Sequence, residues 1–209
     1  STGTFLSKWG SRGSADGQFE YPKEIDIDGS GNVYVVDHNN HRVQKFDSSG
    51  NFLIAWGVQG SGDGEFSDPS GIAVDSQNNV YVADSRNGRI QKFDSDGEFL
   101  LKWGALADLE NLGPESAGPS KFRNQDHGIA VDNFDKVYIS NEYGASLCDT
   151  YDLCNDDVQK FDSSGNFLGV FGSTGSGDGQ FLTPRGLAFD SSNNIYVVDK
   201  ANNRIQKFE

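Results

Sequence analysis

Five acidic residues are concentrated in one short stretch in the second half of the chain, and their oxygen atoms could bind a cation. They are Glu142, Asp149, Asp152, Asp156 and Asp157. Calcium takes about six to eight oxygen ligands, and a loop with these carboxylates could supply several of them. The spacing does not match an EF-hand loop, so a solvated acidic loop is the alternative interpretation. The acidic stretch therefore makes calcium a candidate cofactor.

The two cysteines of the chain, Cys148 and Cys154, lie in the same acidic stretch. Their spacing is not Cys-x-x-Cys, which a metal or redox pair would favour. A disulfide that closes the loop is predicted instead, and this is typical of secreted proteins. The chain starts at Ser1 and contains no methionine, which fits a processed secreted protein or a fragment. The predicted location is therefore extracellular. No Asn-x-Ser/Thr motif for N-glycans occurs, whereas the sequence does not exclude O-glycans.

An aspartate is followed five positions later by an arginine at three places. The pairs are Asp37/Arg42, Asp84/Arg89 and Asp199/Arg204. In each pair the aspartate ends one apolar run and the arginine begins the next, so a hairpin would bring them together. A charge-assisted hydrogen bond there would organise the connecting loop, which is a structural role. Beside the acidic stretch the pair is replaced by Asn141 and Asp157.

Catalytic motifs are absent from the sequence. Neither Gly-x-Ser-x-Gly nor His-Glu-x-x-His occurs. The three histidines, His38, His41 and His127, could form a zinc site across the molecule, although ordinary loop histidines explain them as well. The sequence therefore favours a protein that is not an enzyme, with a metal-dependent lyase- or hydrolase-like enzyme as the alternative.

The elements that must position these residues repeat along the chain. Aromatic anchors recur at Phe46, Phe93, Phe161 and Phe208, at intervals of 47, 68 and 47 residues. A period of this length indicates stacked supersecondary units, as in a solenoid or a propeller. Each unit has short apolar runs rich in β-branched and aromatic residues, bounded by turn residues, which predict four antiparallel strands. We therefore predict one all-β domain over residues 1–209, a β-propeller with four blades of four strands.

The unit resembles the NHL repeat. In the second copy the resemblance lies in Gly71-Ile-Ala-Val-Asp75, Val80-Tyr-Val-Ala-Asp84 and Asn87-Gly-Arg-Ile-Gln-Lys-Phe93. The first copy keeps Asp37-His-Asn-Asn-His-Arg-Val-Gln-Lys-Phe46. The resemblance covers essentially the whole chain and implies a β-propeller. Some propellers of this kind resemble metal-dependent lyases, and others bind RNA through a basic face. The family usually has six blades, whereas this chain has four copies.

The order of the strands predicts how the ring closes. Counted from the centre outward, the first predicted strand is an outer one, at residues 4–9, and the last is a third strand, at residues 204–208. We expect the N-terminal outer strand to complete the C-terminal blade, which would leave no open sheet edge. The alternative is that a neighbouring molecule supplies the missing strand, which would produce a head-to-tail polymer.

Two insertions interrupt the third copy, at about residues 105–127 and 141–157. In an antiparallel meander both connections emerge on the same face, and extended loops on one rim are how repeat scaffolds acquire partners. We predict that apolar side chains in these loops bind the partner. The main ones are Leu109, Phe122, Tyr143 and Tyr151. The alternatives are that they cover the third blade, or that the loops drifted without a function.

The charge of the chain limits its partners. Thirty-one acidic residues against 17 basic ones give a net charge of −14. Nucleic-acid binding requires clustered basic residues and is disfavoured. No apolar run of about 18 residues occurs, so no membrane span is predicted. These features favour an extracellular interaction or structural module that binds a protein partner or associates with itself, in a homomeric assembly or filament.

Overall fold

The structure is a computed structural model that describes residues 3–106, 121–122, 127–142 and 156–209. Within these ranges the chain forms β-strands and two single 3₁₀ turns. Four antiparallel sheets follow one another in chain order. The predicted all-β propeller with four blades is confirmed, and we number the blades 1 to 4. No helix in the described ranges has the length and apolar character needed to cross a membrane.

In each blade the chain passes from the inner strand to the outer one. Blade 1 consists of β1 (Pro22–Ile27), β2 (Val33–Asp37), β3 (Arg42–Phe46) and β4 (Phe52–Trp56). Blade 2 consists of β5 (Pro69–Val74), β6 (Val80–Asp84), β7 (Arg89–Phe93) and β8 (Phe99–Trp103). Two short strands, β9 (Ala105–Leu106) and β10 (Lys121–Phe122), form a separate parallel pair. Blade 3 consists of β11 (Ile129–Val131), β12 (Val137–Asn141), β13 (Asp157–Phe161) and β14 (Phe167–Phe171). Blade 4 has β15 (Pro184–Phe189), β16 (Ile195–Asp199) and β17 (Arg204–Phe208).

Aspartate residues build the tight turns between strands. The Asp28 carboxylate accepts hydrogen bonds from the backbone N–H groups of Ser30 and Asn32, both at 2.9 Å. Short polar side chains that bind the backbone a few residues ahead favour turns over continued strand. The Tyr34 hydroxyl donates to the same carboxylate at 3.1 Å, and the Lys45 ammonium lies over the Tyr34 ring. The turn is thereby tied to the middle of the sheet.

Neighbouring blades pack through two different faces. Tyr34, Val36 and Val43 lie on one face of blade 1, which we call the Tyr face, and they pack against the opposite face of blade 2. That opposite face, the Phe face, includes Ile72 and Phe93. The same pairing joins blade 2 to blade 3 and blade 3 to blade 4. The inner strands also contact one another in chain order, β1 with β5, β5 with β11 and β11 with β15. The core therefore lies at three junctions between blades.

The expected pairing of residues 4–9 with β17 is not formed, which corrects the prediction of how the ring closes. Residues 3–9 form no strand, and β17 pairs with β16 alone. The Trp9 ring lies instead against Phe46 of blade 1, with 6.1 Å between ring centroids. In the described ranges no packing comparable to the three junctions joins β1 to β15. Within the described ranges, blade 4 therefore has three strands.

Candidate functional site

The three predicted aspartate–arginine pairs are in contact. The arginine Nε lies 2.8, 2.7 and 2.7 Å from the aspartate Oδ2 in Asp37/Arg42, Asp84/Arg89 and Asp199/Arg204. In blade 2, Arg89 also donates to the carbonyls of Gly62 and Glu65 at 2.7 and 2.9 Å. The Asp84 carboxylate accepts the N–H of Ser67 at 2.7 Å. The pair therefore fastens the hairpin between the second and third strands to the loop that enters the blade, and it supports the fold.

Blade 3 replaces this pair with Asn141 and Asp157, which lie opposite each other on β12 and β13. Both residues are buried, so an acidic side chain occupies the position of the arginine. Burial raises the pKa of Asp157 to about 7, although hydrogen bonds from Gln159 and Asn141 act in the opposite direction. Blade 3 thus holds a carboxyl group that can change its charge near neutral pH.

Three of the five residues predicted to bind calcium are described, and all three are buried. They are Glu142, Asp156 and Asp157. Glu142 Oε2 lies 3.0 Å from Arg185 Nε, which joins blade 3 to the start of β15 in blade 4. The described ranges contain no group of three His, Cys, Asp or Glu side chains arranged to hold a metal ion. Asp149 and Asp152, and the cysteines Cys148 and Cys154, lie outside the described residues, so calcium and the disulfide stay predictions.

Phe122 is fully buried, and the prediction that it contacts a partner is corrected. Its ring packs against those of His127 and Phe161, at centroid distances of 5.6 and 6.1 Å. In β9 and β10, Phe122 lies opposite Leu106, just as Phe66 lies opposite Gln59 before blade 2. Phe122 is therefore the blade 3 equivalent of a core residue.

A signal for this role was present in the sequence. An aromatic residue ends the loop that enters each blade, and its members are Phe19, Phe66, Phe122 and Phe181. The insertion after β9 separates Phe122 from its neighbours in the repeat, which hides the equivalence. The other residues predicted to bind a partner, Leu109, Tyr143 and Tyr151, lie outside the described residues.

Each of the three histidines has its own hydrogen-bond partner. His38 Nδ1 donates to the Pro69 carbonyl at 2.7 Å, and His41 Nδ1 accepts the Asp68 N–H at 3.3 Å. Both bonds connect blade 1 to blade 2. His127 is buried, and its Nδ1 donates to the Ser140 carbonyl at 2.9 Å. These contacts hold loops and strands together.

A central cavity of about 360 Å³ opens where the inner strands begin. Its wall includes Lys23, Glu24, His127 and Arg185. Blade 1 places carboxylates on its inner strand where blades 2 to 4 have glycine and alanine. Glu24 Oε2 accepts the N–H of Ile72 at 3.1 Å, and Asp26 Oδ2 accepts that of Val74 at 2.8 Å. These carboxylates therefore accept the hydrogen bonds of two backbone N–H groups of β5.

Two apolar faces of the described structure have no blade packed against them. One is the Tyr face of blade 4, where Val198 and Ile205 are 38% and 60% exposed, although the equivalent Val36 and Val43 of blade 1 are fully buried. The other is the Phe face of blade 1. There Ile25 is 57% exposed, whereas its blade 2 equivalent Ile72 is 3% exposed. Val33, Val35 and Phe46 on the same face are buried, with Phe19 and Phe52 packed against them. The two faces are the two halves of one junction, and exposed apolar groups of this kind mark interaction sites.

These sheets define the protein as a β-propeller. The sequence profile of the NHL repeat matches residues 19–46, 66–93 and 181–208. These three segments are therefore NHL repeats, as the sequence resemblance indicated. The matched segments fall in blades 1, 2 and 4, which keep the aspartate–arginine pair, while blade 3 carries the insertions. No curated protein matches the chain by sequence.

Solved structures share this fold at low sequence identity. A catalytically inactive virginiamycin B lyase from Staphylococcus aureus, solved with quinupristin, is 15% identical with a TM-score of 0.55, over 90% of this chain and 55% of that one. A gluconolactonase from Xanthomonas campestris is 16% identical with a TM-score of 0.55, over 90% and 57%. The hydrazine synthase of Kuenenia stuttgartiensis is 12% identical with a TM-score of 0.56, over 99% and 51%. This chain thus spans about half the length of these proteins, and the similarity shows the fold alone.

Proposed function

We propose that this protein is a non-enzymatic interaction module that associates with other copies of itself, as a subunit of a homomeric extracellular assembly. The observation that carries the proposal is the pair of open faces on blades 1 and 4. One is a Tyr face and the other is a Phe face, so two copies can form between them the kind of junction that occurs three times within the chain. Such a contact is head-to-tail, and it leaves the opposite face of each copy free for the next.

The residues of these faces have the chemistry that the internal junctions use. At the junction of blades 3 and 4, Tyr138 and Val158 bury their apolar groups against Val197 and its neighbours. On blade 4 the equivalent of Val158 is Ile205, which is exposed, as is Val198 on the opposite strand. Fully burying an exposed Val or Ile side chain contributes about 1.5–3 kcal/mol. Burial of such side chains on each copy would favour association, against the cost of the lost translational and rotational freedom.

The net charge of −14 opposes this association, because like-charged subunits repel one another. The repulsion acts between exposed groups and is screened over about 10 Å at 0.1 M salt. We therefore expect salt to strengthen self-association. Calcium bound at the acidic stretch of residues 142–157 would have the same effect, by lowering the charge of each copy.

Sedimentation over a range of protein concentrations tests the proposal. We expect the mass to rise with concentration at moderate salt, and Ile205→Asp and Ile25→Asp each to abolish the rise, because each puts a charge into the new junction. Leu168→Asp is the matched control, since Leu168 lies on the outer strand β14 and is also exposed. A wild-type chain that stays a monomer at high concentration and high salt, with and without calcium, would contradict the proposal.

The extracellular location is supported by the predicted disulfide between Cys148 and Cys154, since such bonds persist mainly in oxidising compartments. Alkylation of the unreduced protein followed by mass spectrometry tests it. We expect both thiols to be protected until a reductant is added. Two alkylated cysteines in protein kept under oxidising conditions would count against a secreted protein stabilised by this bond.

An enzymatic function is the second candidate, and the central cavity favours it. Glu24, His127 and Arg185 converge on this cavity from three blades, and proteins of the same fold include a lyase and a gluconolactonase. Metal analysis and lactone hydrolysis test this candidate. Stoichiometric metal and hydrolysis that are lost in His127→Ala, but retained in Ile205→Asp, would support an enzyme. A protein with neither bound metal nor lactone hydrolysis would favour the interaction module.

A further inference from the structure

One position near the start of the inner strands changes its chemistry from blade to blade. Around it the blades agree: an isoleucine or leucine follows two residues later and an aspartate five residues later, as Ile72 and Asp75 do after Ser70. Positions that build a blade recur in every copy, because each copy needs them to fold. The variable position is occupied by Lys23, Ser70, His127 and Arg185. The folding of a blade therefore does not determine which residue stands there.

The structure brings the four variable residues to one place. The inner strands contact one another in chain order, so equivalent positions lie side by side around the centre. All four residues line the central cavity of about 360 Å³, at the level where the inner strands begin. Pockets for small molecules have volumes of about 300–1,000 Å³. This cavity lies at the lower end of that range, which suits a ligand of the size of a single sugar or amino acid.

Hydrogen bonds fix the buried part of the cavity wall. The Ser70 hydroxyl lies 2.6 Å from that of Ser85, and it accepts the His127 N–H at 3.1 Å. His127 Nδ1 donates to the Ser140 carbonyl at 2.9 Å, and the Ser140 hydroxyl donates to the Arg185 carbonyl at 2.7 Å. Ser70 and His127 are 4% and 3% exposed. The wall therefore needs little rearrangement to receive a ligand, which lowers the cost of binding.

The next position along each inner strand is glycine in blades 2 to 4 and glutamate in blade 1. At Gly71 and Gly128 a Cβ would overlap the backbone carbonyl of the following blade, which explains the glycine. In blade 1 the Glu24 side chain lines the cavity, and its carboxylate accepts the Ile72 N–H at 3.1 Å. Blade 1 thus adds a carboxylate acceptor to a wall that the other blades leave without one at this position.

The wall is more positive than the chain as a whole. Lys23 and Arg185 contribute two permanent cations against the carboxylate of Glu24, whereas the chain has 31 acidic and 17 basic residues. Glu142 Oε2 lies 3.0 Å from Arg185 Nε and orients the guanidinium. Cationic side chains bind carboxylates through charge-assisted hydrogen bonds, and a carboxylate such as Glu24 accepts hydrogen bonds from hydroxyl and amino groups. The wall therefore complements a molecule that carries both kinds of group.

An aromatic side chain stands at the mouth of the cavity. Tyr21 is 67% exposed, and its ring lies 6.0 Å from that of His38. Its backbone has a φ of 57°, a left-handed conformation that is costly for a bulky residue. The equivalent Asp68 and Thr183 share this conformation, with φ of 51° and 52°, so the entry to the inner strand requires the conformation and not the ring. The exposed ring is placed to cover the carbon skeleton of a ligand.

We propose that the central cavity binds a small organic acid, a molecule that carries a carboxylate and, beside it, a hydroxyl or amino group. Lys23 and Arg185 bind the carboxylate, and Glu24 accepts the hydrogen bond of the second group. The Tyr21 ring covers the entrance. No bond of the ligand is made or broken. The site is formed within one copy of the chain, so it is independent of self-association and of a bound metal.

Titration of the isotope-labelled chain, followed by NMR, tests the site. The probes are glucuronate, which carries hydroxyl groups, and glutamate, which carries an amino group, each at constant ionic strength and with EDTA. We expect at least one of them to shift the amide signals of Ser70, His127 and Gly128 in a saturable way, and the acid that binds identifies the second group of the ligand. No saturable shift with either acid up to about 10 mM, ten times a Kd of about 1 mM, would overturn the proposal.

Glucose is the matched control for the carboxylate, because it resembles glucuronate without the charge. We expect glucose to leave the same amide signals unchanged, since it offers no carboxylate to the two cations of the wall. Shifts with glucose that equal those with glucuronate would show that the cavity does not recognise the acid group, which would also overturn the proposal.

A substitution at one of the cations tests the role of the wall. Lys23→Gln should weaken binding at least about tenfold, because it removes a charge-assisted hydrogen bond. Lys200→Gln is the matched control, since it removes the same charge from an exposed residue in the hairpin after β16. Both variants should melt like the wild-type chain when no ligand is present. Unchanged binding by Lys23→Gln, or an equal loss in Lys200→Gln, would contradict a carboxylate bound in this cavity.

The variant Ile205→Asp separates this proposal from self-association. Ile205 lies on the Tyr face of blade 4, and its substitution leaves the residues of the cavity wall intact. Ile205→Asp should therefore bind the acid with the affinity of the wild-type chain, whether or not the wild-type chain assembles. Loss of binding in this variant would mean that the cavity is completed only in an assembly, and a site formed within one copy would be wrong.

Discussion

Blade 2 and blade 4 contain the same third strand and the same hydrogen bonds, yet they differ in what covers them. Both third strands read Arg-Ile-Gln-Lys-Phe. Both second strands end in an aspartate that accepts hydrogen bonds from Asn, Arg and Gln side chains of the blade. Blade 2 has a neighbour on each side and buries Ile90 completely, whereas blade 4 leaves Ile205 exposed. The conformation of a blade is thus encoded within it, while its burial depends on the next blade.

This difference means that the same substitution should have different consequences in the two blades. In repeat proteins, stability is approximately the sum of terms within each unit and terms between neighbours. The stability of blade 2 includes the packing energy of two neighbouring blades, and that of blade 4 includes the packing energy of one. Matched substitutions at equivalent positions therefore measure the neighbour term directly.

The largest effect is expected from a charge placed on the Tyr face. Ile90→Asp would bury a carboxylate without a partner and should lower the free energy of unfolding by more than about 4 kcal/mol. Ile205→Asp leaves the carboxylate in water and should change it by less than about 1 kcal/mol in the monomer. Urea denaturation of both variants at low concentration measures the two values. Similar losses would mean that blade 4 is covered within the single chain.

The aspartate at the end of the second strand should show a smaller contrast. Asp84→Asn removes the partner of Arg89, which is 8% exposed, and we expect a loss of about 3–5 kcal/mol because a buried charge is left unpaired. Asp199→Asn should cost about 1–2 kcal/mol, because Arg204 is 28% exposed and water can take the place of the carboxylate. Thermal melts of the two variants check the order, and a reversed order would contradict this account of burial.

In blade 3 the comparison can be made through the pH dependence of stability. There the buried carboxyl group of Asp157 has no arginine on the opposite strand to stabilise its charged form. Burial raises the pKa of Asp157 to about 7. In the unfolded chain the pKa of this carboxyl group is about 4. Between about pH 4 and pH 7, the folded chain therefore binds a proton at Asp157 that the unfolded chain lacks. Stability should therefore fall as pH rises through this range, by up to about 1.4 kcal/mol for each pH unit.

Asp157→Asn should remove this dependence, and both proteins are compared by denaturation in the presence of a chelator. The chelator excludes any contribution from calcium at the same residues. Equal pH profiles for the variant and the wild-type chain would show that Asp157 is ionised in the folded protein throughout the range.

The smallest contrast is expected at the lysine of the third strand. Lys92 Nζ lies 3.7 Å from Asp75 and over the Tyr81 ring, and its side chain is nearly buried. Lys92→Met should cost about 1–2 kcal/mol, since it removes a cation from a sheltered carboxylate and ring. Lys207 makes the same contacts in blade 4 but is half exposed, so Lys207→Met should leave the melting temperature unchanged. A clear loss at Lys207 would indicate that blade 4 is more enclosed than this structure shows.

The sequence contained enough information to predict the blades, because each blade is specified by local features. Turn aspartates such as Asp28 and apolar runs such as Val80–Asp84 define strands wherever they occur. The sequence could not show which faces stay open. Val43 and Ile205 occupy equivalent positions and have similar side chains, and they differ only in whether another blade packs on them.

The candidate site was predicted less well, for two physical reasons. The pairing of residues 4–9 depends on where blades 1 and 4 lie relative to each other, which no local pattern encodes. The insertion before blade 3 displaced Phe122 from the repeat, so a core residue resembled an exposed anchor. The aspartate–arginine contacts were predictable because both partners belong to one hairpin.

The tryptophans give the assembly an optical signal of its own. The chain has three, and each lies at the outer end of a different junction: Trp9 before blade 1, Trp56 between blades 1 and 2, and Trp103 between blades 2 and 3. Trp103 is 9% exposed and Trp9 is 39% exposed, so Trp9 should emit at the longest wavelength. Packing of a second copy against blade 1 would take Trp9 out of water. The intrinsic fluorescence would then shift to the blue as copies join, without a label and without unfolding.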